Sequence, residues 1–408
     1  MLILSINSGS TSLKCCLYDL PVEEADDQAV TPAWEADISW KGDLDGALET
    51  TRNGSTTSAL LHANSREEAI GQILSGLWSE DGPVKSANEI VAVAHRIVHG
   101  GPNYSRSTVI GEQVIEYLRN LEELAPNHGK ENVRAIVVAR KILPQALQVA
   151  VFDTAFHHNL PVTAAIYAVP YHWYEHDHVR RYGFHGISLE YLTKRAAQML
   201  PGSGGTLKLI ACHLGGGSSL SAIDSGRCLD TTMGFTPLEG VPMQTRSGSI
   251  DPGLIMHQLQ RGGYSIEELN AVLTKESGMK GLSGLSGDMK EIEAAMQSGN
   301  ARAQLAFDVF VRGIAKFAAS LLPILGSLDA LIFAGGIGEH SSNVRRSVCT
   351  MLSPLGVAID EEKNVSGKGD RDISSTSAKV RVLVIHTKEE LAMARSACQI
   401  ALESSQKV

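Results

Sequence analysis

The chain has 408 residues, 43% hydrophobic and 20% charged, with a formal net charge of −9 at pH 7. That length predicts two domains rather than one compact core, and the acidic balance excludes a nucleic-acid binder, whose affinity rests on Lys and Arg neutralising phosphates. Six cysteines with no CxxC pair exclude a zinc knuckle or dithiol motif; with no signal-peptide pattern and no apolar run of membrane-span length, a cytoplasmic protein with reduced thiols and no membrane partner is expected.

Two apolar runs open the chain, Leu2–Ile6 and Leu13–Leu20, and the polar cluster Asn7–Ser12 between them predicts a β-hairpin. Residues 22–60 are mixed and read as further strand and loop. "SREEAIGQILSGLW" predicts a helix with a Ser65/Glu68 capping box and one apolar stripe of Ile70, Ile73, Leu74 and Leu77. "EIVAVAHRIVHGG" reads as a buried strand running into a glycine turn. "EQVIEYLRNLEELAP" and "ENVRAIVVARKILP" read as helices stopped by proline, and "ALQVAVFDTAFH" as another buried strand. This alternation implies an α/β domain.

A second set starts after Pro201–Gly205. "LKLIACHLGGGSSLSAIDSGRCLDTTMG" contains a strand, a Gly/Ser loop, a strand, a turn and a third strand. The opening hairpin has the same form, a weak internal repeat that suggests two related halves. Helices are predicted over "DPGLIMHQLQRGG", over "SIEELNAVLTKESG" with a Ser265/Glu268 capping box, and over roughly 300–325, where Pro323 interrupts the longest apolar stretch. "LDALIFAGGIGEH" is a strand ending in glycines, and "KVRVLVIHTKEELAMARSACQIALE" a final strand and helix.

No GxxxxGK[ST] motif is present. Instead, three Gly-rich turns follow apolar strands: Asn7–Ser12, Gly215–Ser219 and Gly335–Glu339. Backbone N–H groups converging at such turns make anion nests, because glycine lets the backbone approach a phosphate closely. "HWYEH", His172 to His176, matches an inverted zinc-protease pattern and keeps a zinc hydrolase among the readings. Its surroundings do not read as the long helix that such a site needs, and His157, His158 and His178 read as packed or solvated.

In order along the chain stand "INSGSTSLK", "AHRIVHGG", "FDTAFH", "RRYGFHGIS", "HLGGGSSL", "DTTMGFTPLEG", "TRSGSIDPG", "GGIGEH" and "TKEELAMAR". Together they resemble the acetate kinase family of acyl-phosphate-forming carboxylate kinases, over almost the whole chain. The resemblance implies a duplicated ribonuclease H-like (actin-like ATPase) α/β fold, two domains flanking a cleft. The first would comprise 1–152 with a C-terminal helix at about 388–408, and the second 153–387 with the nucleotide-binding loops. It further implies a homodimer and the reversible reaction of ATP with acetate to give acetyl phosphate and ADP, with magnesium as the metal and manganese as the alternative ion.

Carried over by position, the resemblance implies catalytic roles for Asp153, His185 and Arg246 and carboxylate binding by Arg96. Val98, Phe184 and Pro237 would wall the acyl pocket, with His128 nearby. Nucleotide binding falls to Lys14, to His213, Leu214, Gly215, Gly216 and Gly217, to Asp288, Met289 and Lys290, and to Gly335, Gly336, Ile337, Gly338 and Glu339. Asn7 and Glu389 would place the metal. The chemistry is coherent: acetate is already an anion at pH 7 and needs no general base. The task is to bring two anions together and neutralise charge on the transferring phosphoryl group.

The chain departs from the family pattern at several positions. Asn127 stands where leucine is usual, Gly216 where asparagine is usual, Gln244 for a small residue, Ser249 for aspartate, Lys290 for arginine and His340 for asparagine. Propionate or another short-chain acid as acceptor, and another nucleotide or pyrophosphate as donor, therefore stay open. An actin-like nucleotide switch is the non-enzymatic alternative.

Overall fold

The computed structural model describes every residue except 10, 22–26, 28, 42–44, 122–128, 203–205, 407 and 408. Contacts divide the chain into two units, Met1–Ala155 with Lys388–Val408, and Phe156–Thr387. Asp153 groups with the first unit rather than the second; its N–H donates to Ile97 O at 2.9 Å.

In the first unit the described strands form one mixed sheet. Strands β1 (Leu2–Ser8), β2 (Ser12–Asp19), β3 (Trp34–Lys41), β4 (Asp45–Arg52) and β5 (Ser55–His62) run as an antiparallel meander. On the other side of β1, β6 (Ile90–Ile97) and β8 (Leu147–Phe152) continue parallel, and the two-residue β7 (Thr108–Val109) closes that edge antiparallel to β8. The parallel strands are apolar on both faces because helices cover both. The helix Glu389–Ser405 packs on β1, β6 and β8, and the helix Gly129–Ile142 packs on β1 and β6.

The second unit repeats this plan. Strands β9 (Lys208–Leu214), β10 (Ser218–Asp224) and β11 (Arg227–Thr231) are antiparallel; β12 (Ala330–Ala334) and β14 (Arg381–Val384) continue parallel to β9; β13 (Arg371–Asp372) closes the edge. The order β11-β10-β9-β12-β14-β13 matches β3-β2-β1-β6-β8-β7, so the repeated strand–loop–strand text is the trace of a duplicated fold, as the resemblance implies. The helix Ala301–Leu325 packs on β9 and β10 and buries Phe307, Phe310, Ile314 and Leu321. Pro323 does not stop this helix: it lies in the last turn, and Gly326, left-handed at φ 73°, ends it.

Local signals were realised unevenly. The Ser265/Glu268 capping box forms in full. At Ser65 only half of it does: Ser65 Oγ accepts from Glu68 N at 3.1 Å, but the Glu68 carboxylate turns to Asn64 N and Nδ2, each at 2.9 Å. Asn64 offers two donors to one oxygen, and the Ser65 N–H offers one. The stripe Ile70, Ile73, Leu74 and Leu77 is buried, a gain of about 1.5–3 kcal/mol for each side chain. The helix read over "EQVIEYLRNLEELAP" runs Glu112–Asn120, and the stretch beyond Leu121 lies outside the described residues.

Candidate functional site

In the first unit the site grows from the ends of β1, β6 and β8. Asn7 and Lys14 are register partners across the β1–β2 hairpin. In the parallel pair β6–β8, Arg96 is level with Val151 and Ile97 with Phe152, so Asp153, one residue past β8, emerges beside Arg96. Arg96 donates from Nη2 to Asp153 Oδ2 at 2.7 Å and from Nε to both carboxylate oxygens at 3.2 Å. Its Nη1 donates to Asn7 Oδ1 at 3.2 Å and lies 3.9 Å from Glu389 Oε2. Burial works against the Arg96 charge, but Asp153 and Glu389 outweigh it and hold the guanidinium above the ordinary arginine value.

The amide of Asn7 reaches the other way, donating from Nδ2 to Glu390 Oε1 at 3.4 Å. Lys14 pairs with Glu35 at 3.1 Å; burial opposes its charge, yet Glu390 and Glu35 raise it above the usual lysine value. Val98 N donates to Asn132 Oδ1 at 3.5 Å, and Asn132 Nδ2 donates to Ser8 O at 3.0 Å. Buried Asn132 thus ties the ends of β1 and β6 together. His128 and Asn127 lie outside the described residues.

In the second unit His185 sits left-handed (φ 59°) at the start of the helix Gly186–Met199. Its Nδ1 is 2.9 Å from Ser219 Oγ, and its ring stacks on His213 with centroids 4.3 Å apart. Ser219 and His213 are register partners in the β9–β10 hairpin. Arg246 comes to the same turn: a Cβ on Gly217 would lie 3.2 Å from Arg246 Nη1 and 3.4 Å from His185 Nε2. Arg246 Nη1 also donates to Pro237 O at 3.1 Å. Burial lowers the Arg246 pKa, and among the described residues no carboxylate forms an ion pair with it. That is not the surface ion pair in which most arginines end.

The third Gly-rich turn joins the second. Gly335, at φ 74°, lies against the Leu214 backbone, where a Cβ would be 2.7 Å from Leu214 O. The chain turns at Gly335, and Gly335–His340 is a short helix that this turn opens. The Glu339 carboxylate supports this loop from within, accepting from Gly335 N at 3.1 Å and Thr387 N at 3.3 Å and pairing with His386 Nδ1 at 2.6 Å. Gly338 O accepts from buried Arg345 at 2.8 Å, Ile337 is buried, and Gly336 is open around its Cβ position. Asp288 caps the helix Met289–Gln297 by accepting from Lys290 N at 2.8 Å; Met289 is buried and the Lys290 side chain is exposed.

Several supporting residues had no signal in the sequence. His157, one of the histidines read as packed or solvated, is fully buried and bridges Cys228 Sγ (3.2 Å) and Phe184 O (2.9 Å), fixing the residue before His185. Arg181 holds Glu239 at 2.9 Å and the carbonyls of Thr231 and Thr232, and Tyr167 bonds the same Glu239 carboxylate. Glu239 lies two residues beyond Pro237, so this network anchors the segment on which Arg246 leans. Ser249, a departure from the family pattern, accepts from Gly240 N at 3.1 Å. His172 is exposed on the five-residue helix Tyr171–Glu175 and His176 is exposed just past its end, and among the described residues no group of three or more His, Cys, Asp or Glu side chains is placed to hold a metal ion. No helix is long and apolar enough to cross a membrane, among the described residues.

Comparison with known proteins places these features in context. A family model described as the Acetokinase family matches residues 2–395. An acetate kinase of a Cyanothece species is 44% identical over 409 residues, covering 100% of both chains. The crystal structure of Porphyromonas gingivalis acetate kinase matches at TM-score 0.89 with 35% identity, covering 98% of this chain and 99% of that one. A propionate kinase from Francisella tularensis matches with the same TM-score and coverage at 33% identity.

Proposed function

Because the chain belongs to the Acetokinase family, we propose that it transfers the γ-phosphoryl group of ATP reversibly to acetate, giving acetyl phosphate and ADP. A carboxylate oxygen of acetate attacks the γ-phosphorus in line. The new O–P bond forms as the bond to the bridging oxygen breaks, and the electron pair leaves with ADP. The nucleophile is already ionised, so the protein supplies position and positive charge.

One observation carries the residue roles: Arg246 is a half-buried guanidinium, without a carboxylate ion pair among the described residues, at a glycine turn it shares with His185. Arg246 and His185 hold the oxygens of the transferring phosphoryl group. Arg96 takes the acetate carboxylate through its planar fork, and Asp153 orients that fork. Val98, Phe184 and Pro237 are assigned to the acyl pocket, and His128 to substrate binding, by the family resemblance alone. The loops at His213–Gly217, Asp288–Lys290 and Gly335–Glu339 serve the nucleotide, and Lys14 its phosphates.

Magnesium fits the donor set. Asn7 Oδ1, Glu389 and the neighbouring Glu390 are hard oxygen ligands, and this ion takes one or two carboxylates and keeps waters and phosphate oxygens for the rest. When bound, it neutralises charge between the β- and γ-phosphates; manganese is the alternative ion. Six buried thiols suit a reducing cytoplasm. A homodimer is supported by apolar Leu254, Met256 and Ile266, exposed on the helices Pro252–Arg261 and Ile266–Lys275; light scattering in solution tests it.

Propionate is the second reading for the acceptor, supported by the likeness to a propionate kinase at the same TM-score. Hydroxylamine trapping of acyl phosphate, with acetate and propionate each run against ATP, GTP and pyrophosphate, ranks all six combinations. Acetate with ATP is expected to be fastest. Absence of hydroxamate in every combination refutes the assignment.

A further inference from the structure

Gly216 is not among the glycines with positive φ, so its backbone does not demand glycine. What fills the space is another side chain. A Cβ at 216 would sit 3.5 Å from Gln244 Oε1 and 3.8 Å from its carboxamide carbon. A methyl group fits at that distance, but a longer side chain runs into the amide. Gln244 is held from behind: its carbonyl accepts from Lys280 N at 2.9 Å, and Gly287 packs against its backbone, where a Cβ would lie 2.6 Å from Gln244 O. The carboxamide therefore lies over the turn from one direction, while Arg246 and His185 reach its next residue, Gly217.

We propose that the Gln244 carboxamide is a phosphoryl-donor contact, occupying the place that a polar side chain at position 216 would fill and presenting its NH2 group to an anionic oxygen at the Gly215–Gly217 turn. An amide rotates by 180° at little cost, so an anion there selects the donor end. A neutral donor adds hydrogen-bond energy without deepening the positive field of Arg246, and it suits a ligand that must also leave. The two departures from the family pattern at 216 and 244 then become one exchange, a side chain removed from the turn and an amide returned from across it. This inference rests on the kinase reading for its ligand class.

The test is a reciprocal swap in the full-length protein. Gln244→Ala, Gly216→Asn and the double variant are assayed for ATP binding by calorimetry and for the separate KM values of ATP and acetate. Gln244→Ala is expected to weaken ATP about tenfold, the scale of one lost hydrogen bond to a charged group, with the acetate KM within about twofold of wild type. Gly216→Asn alone weakens ATP because two amides compete for one space. The double variant regains most of the affinity, a sign reversal that a merely structural role does not produce. Wild-type ATP affinity in Gln244→Ala, or additive losses in the double variant, overturns the proposal. Calorimetric binding separates this outcome from failure of the acetate assignment, which the hydroxamate assay reads on wild type alone.

Discussion

Arg96 grips Asp153 through three donor contacts, Nη2 to Oδ2 at 2.7 Å and Nε to both carboxylate oxygens at 3.2 Å, and the Asp153 side chain is only 3% exposed. Removing one partner of such a pair strands the other charge in a poor solvent, at a cost of about 3–5 kcal/mol. Arg96→Ala is therefore expected to lose about 3 kcal/mol of unfolding free energy in urea titrations, along with use of acetate. The Arg96→Ala/Asp153→Asn double variant should be more stable than Arg96→Ala alone, because a neutral amide needs no counter-ion. If the double variant is instead the less stable of the two, the pair is not the source of the loss.

Asn7 stands between Arg96, which donates to its Oδ1, and Glu390, which accepts from its Nδ2. Asn7→Ala removes both tethers at once and frees Arg96 and Glu390 to shift. The magnesium concentration for half-maximal hydroxamate formation should rise about tenfold or more, the usual scale for losing an orienting partner at a metal site. Titration of the rate against magnesium reads this directly, and an unchanged midpoint removes Asn7 from the metal.

Gly217→Ala is a small change with a local consequence. The added methyl lies 3.2 Å from Arg246 Nη1 and 3.4 Å from His185 Nε2, so both groups must give by a few tenths of an ångström. Catalytic groups displaced on this scale lose about tenfold or more in rate. The expected result is a lower kcat with a melting temperature within about 2 °C of wild type, measured on the same preparation. Equal losses in kcat and stability would point to a folding defect.

Three histidines predict an acid sensitivity. Burial pushes His95, His99 and His157 down to about 4 from their ordinary 6.5. Each is neutral in the fold and binds a proton when unfolded, so the unfolded state holds more protons and stability falls as pH drops from about 6.5 towards 4. Each contributes about 1.4 kcal/mol per pH unit within that window, so the three together give a slope of about 4 kcal/mol per unit. Urea unfolding at pH 7, 6 and 5 measures the slope; a flat profile would mean that these rings are solvated.

Most of the secondary structure was legible because its causes are local. The hairpins, the Ser265 cap and the stripe from Ile70 to Leu77 depend on residues a few positions apart, whose side-chain directions follow from the helix or strand period. The duplication was legible in outline, since both halves use the same strand, loop, strand text. The motif residues were named in advance, but what each one touches was not.

The sequence by itself determined that two glycine-bearing hairpins would be built, and that arginines, a histidine and acidic residues would follow strands. Only the tertiary structure decided that Asn7 would bond Glu390, 383 positions away, and that Glu339 would brace its own loop. It also decided that the Gln244 amide would lie over Gly216 and that Arg246 would keep clear of any carboxylate ion pair among the described residues. A periodic pattern says which face a side chain leaves from. Its hydrogen-bond partner is chosen by whichever donor or acceptor, however distant in the chain, the packed sheets bring within about 3 Å.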